Sequence, residues 1–279
     1  MFVNNLLHQK RILVTGGGTG LGKSMSERFL DLGAQIVICG RREEVLKQTC
    51  EQWNLKYPDR SSYQMCDLKD PAAVEKMVEN IWALGPLDIL VNNAAGNFIS
   101  RTEDLSHRAL DIVLDIVLHG TSYVTLACGK RWLKEKHSAN VLSIVTTYAW
   151  TGSAYVVPSA MAKAGVLAMT RSLAVEWGNR GLRFNAIAPG PFPTPGAWDR
   201  LVPNQEFGKL FETKNPLGRH GEHIELANLA SFMISDFAGF LNGEVITIDG
   251  GEWLQGAGEF NFLKTMSPHD WDAFRKKSK

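Results

Sequence analysis

Cysteine is scarce in this chain. There are four among 279 residues, Cys39, Cys50, Cys66 and Cys128, with no CxxC pair and no metal-ligand spacing. That excludes a disulfide scaffold and leaves no candidate metal site. They read as reduced, mostly buried thiols in a reducing compartment. Net charge is as scarce: 30 cations against 29 anions leave +1 at pH 7, which gives no electrostatic case for nucleic acid or an anionic membrane as partner. No apolar run reads as long enough to span a bilayer, and there is no linker, internal repeat or low-complexity segment. The N-terminus runs almost directly into the first strand, without room for a signal or transit peptide. The C-terminal RKKSK lacks the final leucine of a peroxisomal Ser-Lys-Leu address. These absences point to a cytoplasmic chain.

What is present is alternation. Short apolar strands are expected at Ile12–Thr15, Gln35–Cys39, Tyr63–Cys66, Leu87–Asn92, Asn140–Val145, Leu182–Ala188 and Val245–Ile248. Helices are expected from about Leu21, over Glu43–Leu55, after the Asp70-Pro71 cap, over roughly Ala109–Lys134, Ser159–Trp177 and Glu222–Ser235. Strands separated by helices of this length imply right-handed crossovers and a parallel sheet. The expected fold is α/β, a Rossmann-type doubly wound parallel sheet in one domain across residues 1–279. Pro191–Asn215 breaks the alternation and reads as an insertion; the residues after Gly251 read as an extension.

The first candidate site is Thr15-Gly16-Gly17-Gly18-Thr19-Gly20-Leu21-Gly22, between a strand and a helix. Glycines let the backbone turn tightly and let a pyrophosphate approach bare N–H groups at the positive helix end. Strand and helix context makes nucleotide binding the stronger reading against a purely structural turn. At the end of the second strand, where an acid would bind a ribose 2′-hydroxyl, stands Cys39-Gly40-Arg41-Arg42. A guanidinium fork matches a 2′-phosphate, so the cofactor expected is NADPH, with Arg41 the better partner than Arg42. A solvated helix start is the alternative for both. Asp67 can accept from the adenine amino group or act as a loop cap. The small residues of Asn93-Ala94-Ala95-Gly96 let the backbone run close to the adenosine ribose, or simply form a strand-end turn. Pro189-Gly190 follows the sixth strand, where open α/β sheets place ligands, and can border the nicotinamide.

Thr15–Gly22, Asn92–Gly96, Lys163 and Pro189-Gly190 together resemble the short-chain dehydrogenase/reductase family over about residues 10–251. One departure stands out: Ser159 occupies the position four residues before Lys163 where that family usually has a tyrosine acid. Within the family, the stretches Asn92–Ser100, Asp115–Thr121, Tyr148–Lys163, Glu225–Ala230 and Gly258–Asn261 resemble the mitochondrial-type 2,4-dienoyl-CoA reductases. The resemblance implies a homotetrameric, NADPH-dependent reductase of 2,4-dienoyl-CoA, an acyl-CoA substrate of unsaturated fatty-acid β-oxidation. By that resemblance Tyr148 hydrogen-bonds the thioester oxygen, Lys163 holds the nicotinamide ribose, and Ser159 supports the network. The fourth member, an asparagine aimed at the same oxygen, is matched to His119, which can also donate one hydrogen bond. A helix-surface histidine without catalytic role is the alternative there. Two rival functions stay open, a carbonyl or 3-oxoacyl reductase and a catalytically silent NADP-binding protein.

Around the site, Phe98, Trp150, Tyr155, Phe192 and Trp198 are candidates for an acyl slot or for ordinary packing. Lys214, Arg219 and the C-terminal cations can meet CoA phosphates or remain solvated. The resemblance also implies that the helices near Ala109–Lys134 and Ser159–Trp177 pair two subunits.

Overall fold

The computed structural model describes residues 3–196 and 204–277. Seven parallel strands form one sheet of order β3-β2-β1-β4-β5-β6-β7. They are β1 (Arg11–Thr15), β2 (Gln35–Gly40), β3 (Ser61–Met65), β4 (Ile89–Asn92), β5 (Ala139–Ile144), β6 (Leu182–Pro189) and β7 (Val245–Ile248). The helices between them are α1 (Gly20–Asp31), α2 (Glu43–Lys56), α3 (Pro71–Trp82), α4 (His107–Leu114), α5 (Gly120–Glu135), α6 (Tyr148–Thr151) and α7 (Val157–Gly178). Next come α8 (Gln205–Lys214), α9 (His223–Ile234), α10 (Glu252–Ala257) and α11 (Pro268–Lys277).

Side-chain alternation explains the double winding. Along β1, Ile12 and Val14 enter the core shared with α1, α2 and α9, while Leu13 enters the core shared with α3, α5 and α7. The same period of two repeats in β2, with Ile36 and Ile38 on one side and Val37 and Cys39 on the other. Both faces of these strands are therefore covered, which is why the central strands read as unbroken apolar runs. Phe29 and Trp132, fully buried on opposite faces, each contribute on the order of 1.5–3 kcal/mol by burial. Strand order reverses between β1 and β4, so the carboxyl ends of these two strands open a crevice.

Two expected elements stand out by their differences. β3 starts two residues early, at Ser61, because an edge strand tolerates the polar run Ser61-Ser62-Tyr63-Gln64 that hides it from an apolar pattern. The helix expected over Ala109–Lys134 is continuous from His107 to Glu135, but it widens into a π turn over Asp115–His119. That helix is long and apolar enough, by length and composition, to cross a membrane, with an 18-residue window of mean hydropathy 1.5. The reading that no apolar run reaches that length is corrected accordingly. Half of the window is buried inside the fold, through residues such as Val113, Val117, Val124 and Cys128, as befits a core helix. The short helices α6, α10 and α11 carry no clear periodic signal in sequence. The cap at Asp70 forms as expected, its carboxylate accepting from the Ala72 and Ala73 amides at 2.9 and 3.2 Å.

Candidate active site

The glycine-rich turn joins β1 to α1 at the crevice. Gly16 and Gly20 hold φ of 65° and 54°, in the left-handed region that side chains disfavour. Gly22 is required by contact: a methyl there would lie 2.4 Å from Asn93 Nδ2 and 2.6 Å from the Gly16 carbonyl oxygen. Thr19 stands extended at the N-cap and makes no side-chain capping bond. The first N–H groups of α1 are left for an anion. Bare backbone and an uncapped helix end fit the pyrophosphate of a dinucleotide.

Neighbouring residues shape this cradle. The buried Thr15 hydroxyl accepts from the Asn93 and Ala94 amides, both at 3.0 Å. Asn93 Nδ2 returns bonds to the Thr15 and Gly16 carbonyls at 3.0 and 3.3 Å. The side chains of Thr15 and Asn93 are thus spent on welding the turn to β4. Gly18 offers its carbonyl to the Thr49 hydroxyl at 3.2 Å, and Leu21 packs against the core. Ala94 also packs inward, Gly96 is half-buried, and Ala95 is exposed.

Arg41 is the first residue past β2. It is exposed, and among the described residues it has neither ion pair nor hydrogen bond. Asp67 is partly engaged as a turn residue, accepting from the Lys69 amide at 3.2 Å and facing the Lys69 ammonium at 3.8 Å. Pro189 ends β6, and the Gly190 amide donates to the Ile248 carbonyl at 3.0 Å, beside the end of β7.

The catalytic candidates gather at the ends of β4 and β5. The Tyr148 hydroxyl, at the start of α6, lies 3.1 Å from the buried Ser159 hydroxyl on α7. Asn97 Nδ2 donates to the same Tyr148 oxygen at 3.3 Å. The Asn97 carbonyl oxygen accepts from the Phe98 amide at 2.9 Å. That bond fixes which end of the amide faces Tyr148 and leaves its second N–H available. Lys163 stands one turn beyond Ser159 on α7, the spacing that puts both on one helix face. Its ammonium is buried and donates to the Ile144 carbonyl at 2.5 Å. Burial pushes this lysine down to about 8, since a charge held away from water is disfavoured.

His119 does not join this group. The π turn carries its ring toward Asp115, 3.1 Å away, and stacks it on Tyr123 with centroids 6.1 Å apart. The side chain is half-exposed. The structure does not bring His119, matched by resemblance to a fourth catalytic residue, to Tyr148; the amide that reaches Tyr148 is that of Asn97. A signal for it was present, a polar amide directly after a run of small residues, Ala94-Ala95-Gly96, that clears space beside the crevice.

The peripheral candidates divide. Phe192 is buried in the core and Phe98 packs beside α4 and α7, so both are packing residues. Trp150 meets Trp253 edge-on at 5.6 Å. Tyr155 is 59% exposed with φ of 66°, and Trp198 lies outside the described residues. Arg219 is held by Glu225 through two bonds of 2.7 and 2.8 Å, which takes it away from the role of phosphate ligand; Lys214 remains exposed.

A doubly wound parallel sheet with a glycine turn at its switch point and a tyrosine–lysine cluster across the crevice defines a Rossmann-type oxidoreductase. Residues 16–252 match the family model described as enoyl-(acyl carrier protein) reductase, and the chain belongs to that branch of the short-chain dehydrogenase/reductase family. It is 46% identical over 273 residues to a probable 2,4-dienoyl-CoA reductase of Caenorhabditis elegans, described as (3E)-enoyl-CoA-producing, covering 95% of this chain and 88% of the relative. A probable 2,4-dienoyl-CoA reductase of Bacillus subtilis, described as (2E)-enoyl-CoA-producing, is 41% identical over 249 residues, 89% of this chain and 98% of the relative. The crystal structure of a short-chain dehydrogenase from Bacillus anthracis superposes with a TM-score of 0.79 at 42% identity, covering 88% of this chain and 96% of that one.

Proposed function

We propose that this protein reduces 2,4-dienoyl-CoA to trans-3-enoyl-CoA with NADPH. The observation that carries the reading is the hydrogen-bonded set Asn97–Tyr148–Ser159, with the buried Lys163 one helical turn beyond Ser159. Bound nicotinamide supplies a hydride at such a site. Residues Gly16–Gly22, Arg41, Asp67, the Asn93–Gly96 backbone, Lys163 and Pro189-Gly190 would hold the cofactor, Arg41 meeting the 2′-phosphate with its unpaired guanidinium.

The chain's own chemistry follows from where charge collects. When a conjugated thioester gains a hydride, negative charge moves to the thioester oxygen. The Tyr148 O–H and the second Asn97 N–H are two donors that can converge there, where they lower the barrier most. Ser159 orders the phenol, and Lys163 places a positive group one helical turn away. For a 2,4-diene the family resemblance implies hydride at C5, an extended dienolate and a proton at C2. A serine in the usual tyrosine position, with the phenol displaced to residue 148, suits an extended enolate better than a simple ketone.

We also read residues 191–215 as an insertion and those after 251 as an extension of the one domain. The exposed Ile112, Leu126, Met161 and Val175 on α4, α5 and α7 supply apolar helix faces for a homotetramer. The four cysteines are free and buried, as suits a reducing compartment, and we assign the chain to the cytoplasm. The test is NADPH consumption with a 2,4-dienoyl-CoA beside a 3-oxoacyl-CoA. Turnover of the diene alone supports the reading; turnover of the oxo substrate alone replaces it with a carbonyl reductase, and no turnover of either leaves a silent nucleotide-binding protein.

A further inference from the structure

Four prolines fall within the eight residues Pro189-Gly-Pro-Phe-Pro-Thr-Pro-Gly196. Proline has no N–H, so this loop after β6 has few donors of its own and is held largely through its carbonyls. The Gly190 amide donates to Ile248 O at 3.0 Å, and the Gly221 amide donates to Pro191 O at 3.0 Å. The third anchor is a side chain: His223 Nε2 lies 2.7 Å from Pro193 O. A carbonyl only accepts, so Nε2 carries the proton. In the neutral ring Nδ1 is then an acceptor, and the Ser24 hydroxyl is 2.9 Å away to fill it. Ser24 sits on α1, one turn beyond Gly20, whose carbonyl at 3.2 Å is the alternative acceptor for its single proton. The imidazole therefore spans from the nucleotide helix to the loop. Directly after Pro193, the Thr194 side chain packs over the glycine turn: its Cγ2 lies 3.3 Å from where a Cβ on Gly20 would stand.

We propose that His223 is a latch that fastens the proline-rich loop over the nucleotide turn, and that cofactor affinity depends on it. It is a positioning residue, acting through Pro193 and Thr194. A loop whose φ angles are largely fixed by proline needs few anchors, but losing one frees the residues beyond it. The inference rests on the reading of Gly16–Gly22 as an NADPH site, and the test separates the two.

Two measurements are made on the full chain and its His223→Ala, His223→Gln and Ser24→Ala variants. One is NADPH dissociation by tryptophan-to-nicotinamide energy transfer. The other is deuterium uptake at the Phe192 and Thr194 amides of the cofactor-free protein. His223→Ala is expected to weaken NADPH about five- to tenfold, the scale of a lost hydrogen bond plus loop freedom, and to speed uptake at these amides alone. Glutamine can both donate and accept, so His223→Gln should recover most of the affinity, and Ser24→Ala should fall between. Unchanged affinity or unchanged uptake in His223→Ala overturns the latch. Loss of affinity that glutamine does not recover, with uptake raised across α9, assigns His223 to packing and overturns it as well. Failure of the wild type to bind NADPH overturns the cofactor reading instead, and uptake still decides the latch.

Discussion

The nucleotide turn and the catalytic cluster share one edge of one sheet, yet they are built by opposite means. The turn is made by removing side chains. Gly16, Gly20 and Gly22 give backbone conformations and approaches that a Cβ would block, and the polar side chains nearby are spent on bracing it. The cluster is made by choosing side chains. Asn97, Tyr148, Ser159 and Lys163 come from a loop and two helices and meet through side-chain hydrogen bonds, apart from Lys163, which is anchored on the Ile144 carbonyl. The first kind of site is tuned by backbone sterics and the second by donor geometry and burial, so the two should fail differently under mutation.

The largest effect is expected in the cluster. Tyr148→Phe should lower kcat about a thousandfold, the upper end for a lost oxyanion donor, while NADPH affinity stays within about twofold because the hydroxyl matters mainly in the transition state. Tyr155→Phe is the control and should keep wild-type turnover; steady-state kinetics with a dienoyl-CoA decides between them. Next in size is the exchange of roles between Asn97 and His119. Asn97→Ala should cost about a hundredfold in kcat, the scale of one oxyanion donor, and His119→Ala should stay within about twofold. The reverse order would return His119 to the site.

In the nucleotide half the effect moves from turnover to binding. Arg41→Asp should weaken NADPH by about tenfold or more relative to NADH, because it replaces a phosphate partner with a repelling charge. Equal shifts in the two dissociation constants would remove Arg41 from the phosphate. The smallest effect is on stability. Lys163 is held down to about 8 by burial, against about 10.4 for a free lysine. Between these values the unfolded chain carries a proton that the folded chain lacks. The penalty is therefore full below pH 8 and relieved as pH rises toward 10.4. The unfolding free energy of wild type relative to Lys163→Met should rise with pH in this window, by at most about 1.4 kcal/mol per unit. Denaturant titrations at two pH values across it measure the slope, and a flat difference would show that Lys163 is not desolvated.

The same contrast explains what was legible in sequence. Glycines between a strand and a helix announce their backbone geometry locally, so the turn, the sheet and the switch point could be read from Thr15–Gly22 and the strand pattern. Tyr148, Ser159 and Lys163 were legible because they lie in one stretch with helical spacing. Asn97 was marked only faintly, by its place after Ala94-Ala95-Gly96, because its partner is 51 residues away and only the folded loop aims its amide. For His119, matched by resemblance, a π turn that periodicity does not reveal sets its ring toward Asp115. Edge strand β3 was misplaced at its start because polar residues at a sheet edge break no rule of burial.

The reaction itself is tested most directly by tracing atoms. The protein is given a 2,4-dienoyl-CoA and NADPH deuterated at the transferred position, and the product is examined by NMR. Donors at the thioester oxygen favour an enolate extended over the diene, so deuterium is expected at C5 with the remaining double bond between C3 and C4. Deuterium at C3 would contradict hydride delivery to C5, and a product with its double bond between C2 and C3 would contradict protonation at C2.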